Sequence, residues 1–464
     1  MAAKKPRKPR MPLPILMMII GIIAPIEFSP ILGTLTLMPH RCAILIFIIP
    51  ALIKLFSGKG IKWAHYDILF ILYSFWVLFA FMMHLEMQAG LATGGSLMLE
   101  CLGGYIIARA YIRTYDDFMA TLNGLFYSIC FVGLLALPEA VTGFHFVHIW
   151  LKGIGTVAVA ANDEVRWGLH RSYATFNHPI LYGAYCASLL SMIWFTETGT
   201  GTRLAKAVSL CTATFFGLSS APLNTLVMQS LLGGIHRATK RFPNRVKIFG
   251  VFLLIVYVLL ALFSDKSPIA QIVTRISIDP ETAYYRTLIW GFGMDNVWAN
   301  PWLGLGLDPW VRPAWMPSDS VDAYWLNVAM QMGLPAIALL IAAIWTLIAR
   351  VHKRGPGQRP YKEQRAAIGW TLSFIAFTLA GMTVHYWNST HTYLFFLLGM
   401  SGWLADPVTV TAKVKATAKA ATKVKAPATT ARPDWTHPPR PGPLLPEPAF
   451  VKRYVSGLDP QAAG

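Results

Sequence analysis

Apolar residues run along the chain in blocks of about 18–22 positions, interrupted by short polar loops. That block length suits a helix crossing about 30 Å of hydrocarbon. The pattern predicts about twelve membrane-spanning helices, near 14–36, 41–56, 66–85, 89–109, 118–138, 178–196, 204–219, 222–236, 247–264, 325–349, 366–385 and 392–405. The expected fold is an all-α polytopic membrane protein. The N-terminal run lacks a small-residue cleavage site and continues as "IEFSPILGTLTLMP", so it reads as an uncleaved first span.

Charge adds orientation to this picture. Only 13% of the 464 residues are charged and 55% are hydrophobic, whereas soluble chains carry about 25% charged residues. "KLFSGKGIKW", "ARAYIRTYDD", "GTRLAKA", "HRATKRFPNRVK" and "RVHKRGPGQRPYKEQR" all fall on one side of the predicted bundle. The positive-inside rule makes that side cytoplasmic, with both termini there. Orientation therefore accounts for the net charge of +18, and no nucleic-acid partner is expected. Two long loops, 139–177 and 265–324, face outward. In the second, "DPETAYYRTLIWGFGMDNVWANP" reads as a helix with Asp279 at its N-cap. Three regions result: a basic N-terminus (1–13), a membrane domain (14–405), and an Ala/Lys/Pro-rich tail (406–464) with no core periodicity, expected to be disordered or drawn to anionic lipid. The five cysteines lie inside apolar runs, without metal-type spacing, so neither a disulfide framework nor a metal is expected.

The outward loops hold the candidate chemistry. Arg166 and Arg171 precede the span of "RWGLHRSYATFNHPILYGAY". Their planar forks suit phosphate oxygens, although an interfacial arginine also snorkels to lipid headgroups. His178 before Pro179 fits a helix-start histidine satisfied by backbone. Tyr285 and Arg286 share a predicted loop helix, where Arg286 is either a ligand or a solvated cation. "NPWLGLGLDPWVRPAWM" places Arg312 among tryptophans that suit sugar rings or an interfacial belt. Asp322 and Trp325 open the span "LPAIALLIAAIWTLI", where Asp322 serves as a helix cap, a site carboxylate or both. Glu27 and Glu100 are acids within apolar runs, a costly placement; no role is assigned to Glu100.

Together, "RSYATFNHPILYGAY", "GLSSAPLNTLVMQ", "YYRTLIWGFGMDNVWANPWLGLGL" and "SVDAYWLNVAMQMGLPA" resemble the O-antigen ligase/polymerase family of bacterial envelope proteins. The resemblance implies a GT-C-like glycosyltransferase of the inner membrane, its site facing the periplasm. It implies an undecaprenyl-pyrophosphate-linked oligosaccharide as donor, with no cofactor and no metal. A chain-length regulator, a flippase and membrane lipids are candidate partners. Arg171 and Arg286 occupy the positions that hold the pyrophosphate. In the ligase branch a histidine begins the late span eleven residues before a glycine; counting back from Gly333, that slot holds Asp322. "SVDAYWL" looks more like the branch that polymerises exopolysaccharide or capsule repeats. The alternatives are a ligase moving finished glycan to lipid A core or protein, and a flippase or transporter of lipid-linked glycan.

Overall fold

The computed structural model describes residues 11–32, 35–57, 63–157, 159, 164–239, 280–316, 318–353 and 359–405. The first ten residues, the span expected at 247–264, the cap expected at Asp279 and the tail from 406 lie outside the described residues.

The first apolar run does not form one crossing. Helix α1 (Leu13–Ile23) ends at Ala24, whose extended ψ of 137° is the conformation a following proline favours. A 3-10 turn (Ile26–Phe28) and a small hairpin of β1 (Ile31–Leu32) with β2 (Leu35–Thr36) follow, pairing Ile31 with Thr36. Helices α2 (Pro39–Phe56), α3 (His65–His84), α4 (Met87–Tyr111) and α5 (Tyr115–Thr142) then run as the sequence predicts. A capping box of Thr114 with Asp117 starts α5, and a left-handed Gly143 ends it. The helix thereby takes Glu139 out of the predicted loop and buries it.

Beyond α5 come α6 (Phe146–Leu151) and a hairpin of β3 (Val165–Arg166) with β4 (Leu169–His170). The span expected at 178–196 divides into α7 (Pro179–Ala187) and α8 (Leu190–Thr196). Next are α9 (Thr200–Phe216), α10 (Ser220–Ala238), α11 (Pro280–Ala299), α12 (Tyr324–His352), α13 (Tyr361–Ala380), α14 (Ser389–Gly399) and α15 (Gly402–Ala405). Among the described residues, six stretches are long and apolar enough to cross a membrane: α2, α3, α4, α5, α7 with α8, and α12. Among the described residues the other predicted spans are helical but shorter or less apolar, so those helices match their expected positions while the twelve crossings do not follow from them.

Helices α3, α4, α12 and α14 pack together at the centre, around Phe70, Tyr73, Tyr105, Leu340 and Phe395. Outer faces of α2, α3 and α5 expose Ile46, Ile49, Ile53, Leu72, Phe75, Phe131 and Leu134. Such an apolar exterior over satisfied interior polar groups is the arrangement a bilayer demands. Inside, Asp67 takes Arg109 Nε at 3.1 Å and the Tyr105 hydroxyl. Glu100 is held by Arg41 at 2.8 Å, His40 at 3.1 Å and His391 at 3.0 Å. A buried charge is tolerated only when paired in this way. The Glu100 group ties the starts of α2 and α14 to the middle of α4.

One irregularity shapes the candidate site. Pro335 has no N–H to give the Gln331 carbonyl, and α12 breaks at Gly333, with φ 77° and ψ 173°. The glycine-rich chain after α11 enters this break. Gly306 N donates to Gln331 O at 3.0 Å, Leu305 N to Met330 O at 2.7 Å, and Leu334 N to Pro301 O at 2.7 Å. A Cβ on Gly333 would lie 2.0 Å from the Trp302 carbonyl oxygen. Gly304, Gly306 and Gly333 allow this threading.

Candidate functional site

The segment 171–178 is built on buried anchors. Glu139, near the end of α5, accepts Tyr173 N at 3.1 Å and Ala174 N at 2.9 Å, holding Ala174 at a positive φ of 51°. His148 of α6 bridges Glu27 at 2.5 Å and the Phe176 carbonyl at 2.8 Å. Glu27 therefore belongs to a scaffold beneath the segment. The cost of its burial is offset by this partner.

On this scaffold Arg171 is buried, donating from Nη1 to Glu164 Oε2 at 2.7 Å, while its Nε is enclosed without a hydrogen-bond partner among the described residues. Arg166 reaches the same carboxylate at 3.2 Å and the Leu218 carbonyl at 3.3 Å. Burial by itself would raise the Glu164 carboxyl, but Arg171 and Arg166 outweigh it and hold the group below its ordinary value. One carboxylate thus organises two cations, leaving the trio a net positive charge.

His178 is the N-cap of α7: its Nδ1 accepts Ile180 N at 3.2 Å, as expected of a helix-start histidine. Burial, reinforced by the Arg171 cation, lowers its pKa to about 4, while the charges of Asp322 and Glu164 act in the opposite sense. His178 is therefore neutral near pH 7, and Asp322, distant in sequence, lies within its electrostatic reach.

Asp322 is not a helix cap. The N-cap of α12 is Ala323, which offers no side-chain cap, and Tyr324 N instead donates to the Val384 carbonyl at 3.0 Å. The helix start leans on the loop between α13 and α14, so the dipole-side carboxylate is not needed there. Half-buried Asp322 accepts the Ser320 hydroxyl at 2.9 Å.

The loop that receives Tyr324 carries His385, whose ring stacks between Trp387 at 5.7 Å and Tyr324 at 6.3 Å. Trp387 in turn meets His178 edge-on at 5.5 Å. Burial first, then His391, lowers the His385 pKa to about 4, while Asp322 raises it. Its Nδ1 is enclosed without a hydrogen-bond partner among the described residues. His385 also lines a cavity of about 310 Å³, walled by Leu305–Trp310, Asp319, Ser320, Asn327 and Gln331. Nothing in "VHYWNSTH" marks this histidine in the sequence.

Arg286 is buried on α11, between two anchors of that helix. Tyr285 donates its hydroxyl to Ser318 O at 2.6 Å, and Trp290 Nε1 donates to Met382 O at 2.8 Å. Those contacts place α11 across the two segments that carry Asp322 and His385. Arg312 donates to Met316 O at 2.7 Å and closes a turn; Trp325 donates to Thr378 O at 2.7 Å and pins α12 to α13. The structure thus brings Arg171, Arg166, His178 and Asp322 into one electrostatic neighbourhood, and ties Tyr285, Arg312 and Trp325 into the framework around it. Cations, a carboxylate, neutral imidazoles and an open cavity are together suited to hold a phosphorylated group beside a hydroxylated one.

Residues 204–341 match the family model described as O-antigen ligase. No curated protein matches the chain. The matched segment contains Arg286 and Asp322, and it excludes Arg171, His178 and His385. The apolar helices are those of a multi-pass membrane protein, similar over residues 204–341 to the O-antigen ligase family.

Proposed function

We propose that the protein is a polysaccharide polymerase. It moves a growing glycan from polyprenyl pyrophosphate to a sugar hydroxyl of the next lipid-linked repeat, at the periplasmic face of a bacterial inner membrane. The observation that carries this reading is the convergence of buried Arg171 with half-buried Asp322 and an adjoining cavity, Asp322 lying inside the segment that matches the O-antigen ligase family and Arg171 before it. Arg171 and Arg286 hold the pyrophosphate and stabilise the charge that grows as the anomeric C–O bond breaks, a task fixed cations perform in a site of low dielectric. Arg166 and Glu164 keep Arg171 in position. His178, with Nδ1 occupied by its own helix, is left to donate from Nε2 to a phosphate oxygen. Asp322 acts on the acceptor hydroxyl side. The family description also favours a second reading, a ligase that moves finished glycan to lipid A core or protein. Asp322 in the ligase histidine's slot favours the polymerase.

The products separate these readings. Deleting a polymerase leaves single repeats on the carrier, whereas deleting a ligase leaves long carrier-linked polymer. Single lipid-linked repeats in the deletion strain are expected; long chains on undecaprenyl pyrophosphate would transfer the assignment to ligase.

A further inference from the structure

We propose that the cavity beside the start of α12 receives the acceptor sugar and that His385 is the base that takes its proton. This rests on the glycosyl-transfer reading above and gives the step a specific proton acceptor, in a part of the chain the family match does not reach.

The geometry begins with the ring itself. His385 is stacked between Trp387 and Tyr324, a setting that a phenyl ring would fill without loss. The imidazole instead carries an enclosed Nδ1 with no hydrogen-bond partner among the described residues. An unsatisfied buried polar atom costs about 1–3 kcal/mol, so packing alone does not account for a histidine here. The ring is only half-buried, and its open side belongs to the cavity wall.

The cavity fits a sugar. Its volume of about 310 Å³ is at the lower end of small-molecule sites. Trp310 offers an aromatic wall, while Asp308, Asp319, Ser320, Asn327 and Gln331 offer acceptors and donors for ring hydroxyls. The Tyr324 N–H to Val384 O bond fixes the His385 loop against the segment bearing Asp322.

In the transfer step, the acceptor oxygen bonds the anomeric carbon and the carbon–oxygen bond to pyrophosphate breaks. The leaving oxygen keeps its electron pair beside the arginines, and the hydroxyl proton passes to His385 Nε2. Asp322 stabilises the imidazolium so formed, in the sense in which it already favours the charged ring. The charged and titratable groups facing His385 are Asp322 before α12, His391 and Tyr324 on the packed helices, and Asp308 and Asp319 across the cavity. Burial keeps the resting ring neutral, in its accepting form, at neutral pH. A weak base is adequate because the hydroxyl becomes acidic only as its bond to the sugar forms.

His385→Phe tests the proposal, since it preserves the stacked ring and removes both nitrogens. The full-length protein in proteoliposomes would receive the lipid-linked oligosaccharide extracted from a strain lacking it, and released polyprenyl pyrophosphate would be measured. His385→Phe should insert at wild-type level with turnover lowered about 100-fold or more, the scale of a lost general base. His385→Ala should be partly restored by added imidazole, which a purely structural role would not allow. Wild-type turnover in His385→Phe, or no imidazole rescue of an inserted His385→Ala, would overturn the assignment. If Asp322→Asn were inactive while His385→Phe kept wild-type turnover, Asp322 would be the base and the transfer reading would stand. Absence of polyprenyl pyrophosphate release by the wild-type protein would remove the transfer reading itself.

Discussion

The Tyr324 amide donates to the Val384 carbonyl at 3.0 Å, so α12 begins against a loop and not under a side-chain cap. Asp322, one residue before the cap position, is thereby relieved of structural duty. Both Asp322→Asn and Asp322→Ala are expected to insert at wild-type level, without the ~0.5–2 kcal/mol penalty of a lost cap. Polymer made at matched expression should fall by roughly two orders of magnitude in each. Wild-type polymer from either variant would leave Asp322 without a role.

Arg286→Lys keeps the charge on α11 and removes the planar fork. Turnover should fall by at least about tenfold, because an ammonium does not reproduce bidentate contact with phosphate oxygens. Steady-state transfer rates at saturating donor measure this; an unchanged rate would show that position 286 supplies only charge.

Gly333 sits at φ 77° and ψ 173°, a region that essentially only glycine occupies. Gly333→Ala should lose most folded protein, since its Cβ would meet the Trp302 carbonyl at 2.0 Å. Thermal unfolding in detergent, followed by size-exclusion recovery, measures the loss. A wild-type melting temperature would contradict the threading of the 301–306 segment through the α12 break.

Acid should loosen the site. His178 and His385 each have a pKa lowered to about 4 from 6.5, so between those values the unfolded chain binds more protons than the folded one. Their contribution is fully present above about pH 6.5 and is lost as pH falls toward 4. Melting temperature should fall over that window, and His385→Phe should flatten part of the slope. An equal slope in the variant would contradict the buried, neutral state of this ring.

Much of this was legible in the sequence, and what escaped has identifiable causes. Apolar block length located α2 to α5 and α12 within a few residues, because lipid-facing helices must be uniformly apolar. Pro25 and Pro30 broke the run expected at 14–36, as local backbone rules would allow. Asp322 matched the composition of a cap, but the competing Val384 carbonyl comes from sixty residues away and leaves no local mark. Arg171 and Arg286 stood out by residue type alone. Glu139, Glu164 and His385 did not, since their importance arises from long-range packing of α5, the β3–β4 hairpin and the α13–α14 loop.

The orientation expected from loop charge is measurable in intact cells, using a cysteine-free background. A cysteine at exposed Ala314 should react with an impermeant maleimide, and one at Ala416 should not. Reaction at 416 without reaction at 314 would invert the topology and move the site to the cytoplasm.

The most direct test of the central claim is reconstituted transfer. Purified wild-type protein in proteoliposomes, supplied only with lipid-linked repeat units, should release polyprenyl pyrophosphate as the carrier-bound glycan lengthens by whole repeats. Intact donor and glycan of unchanged length, from protein that is folded and correctly inserted, would contradict it.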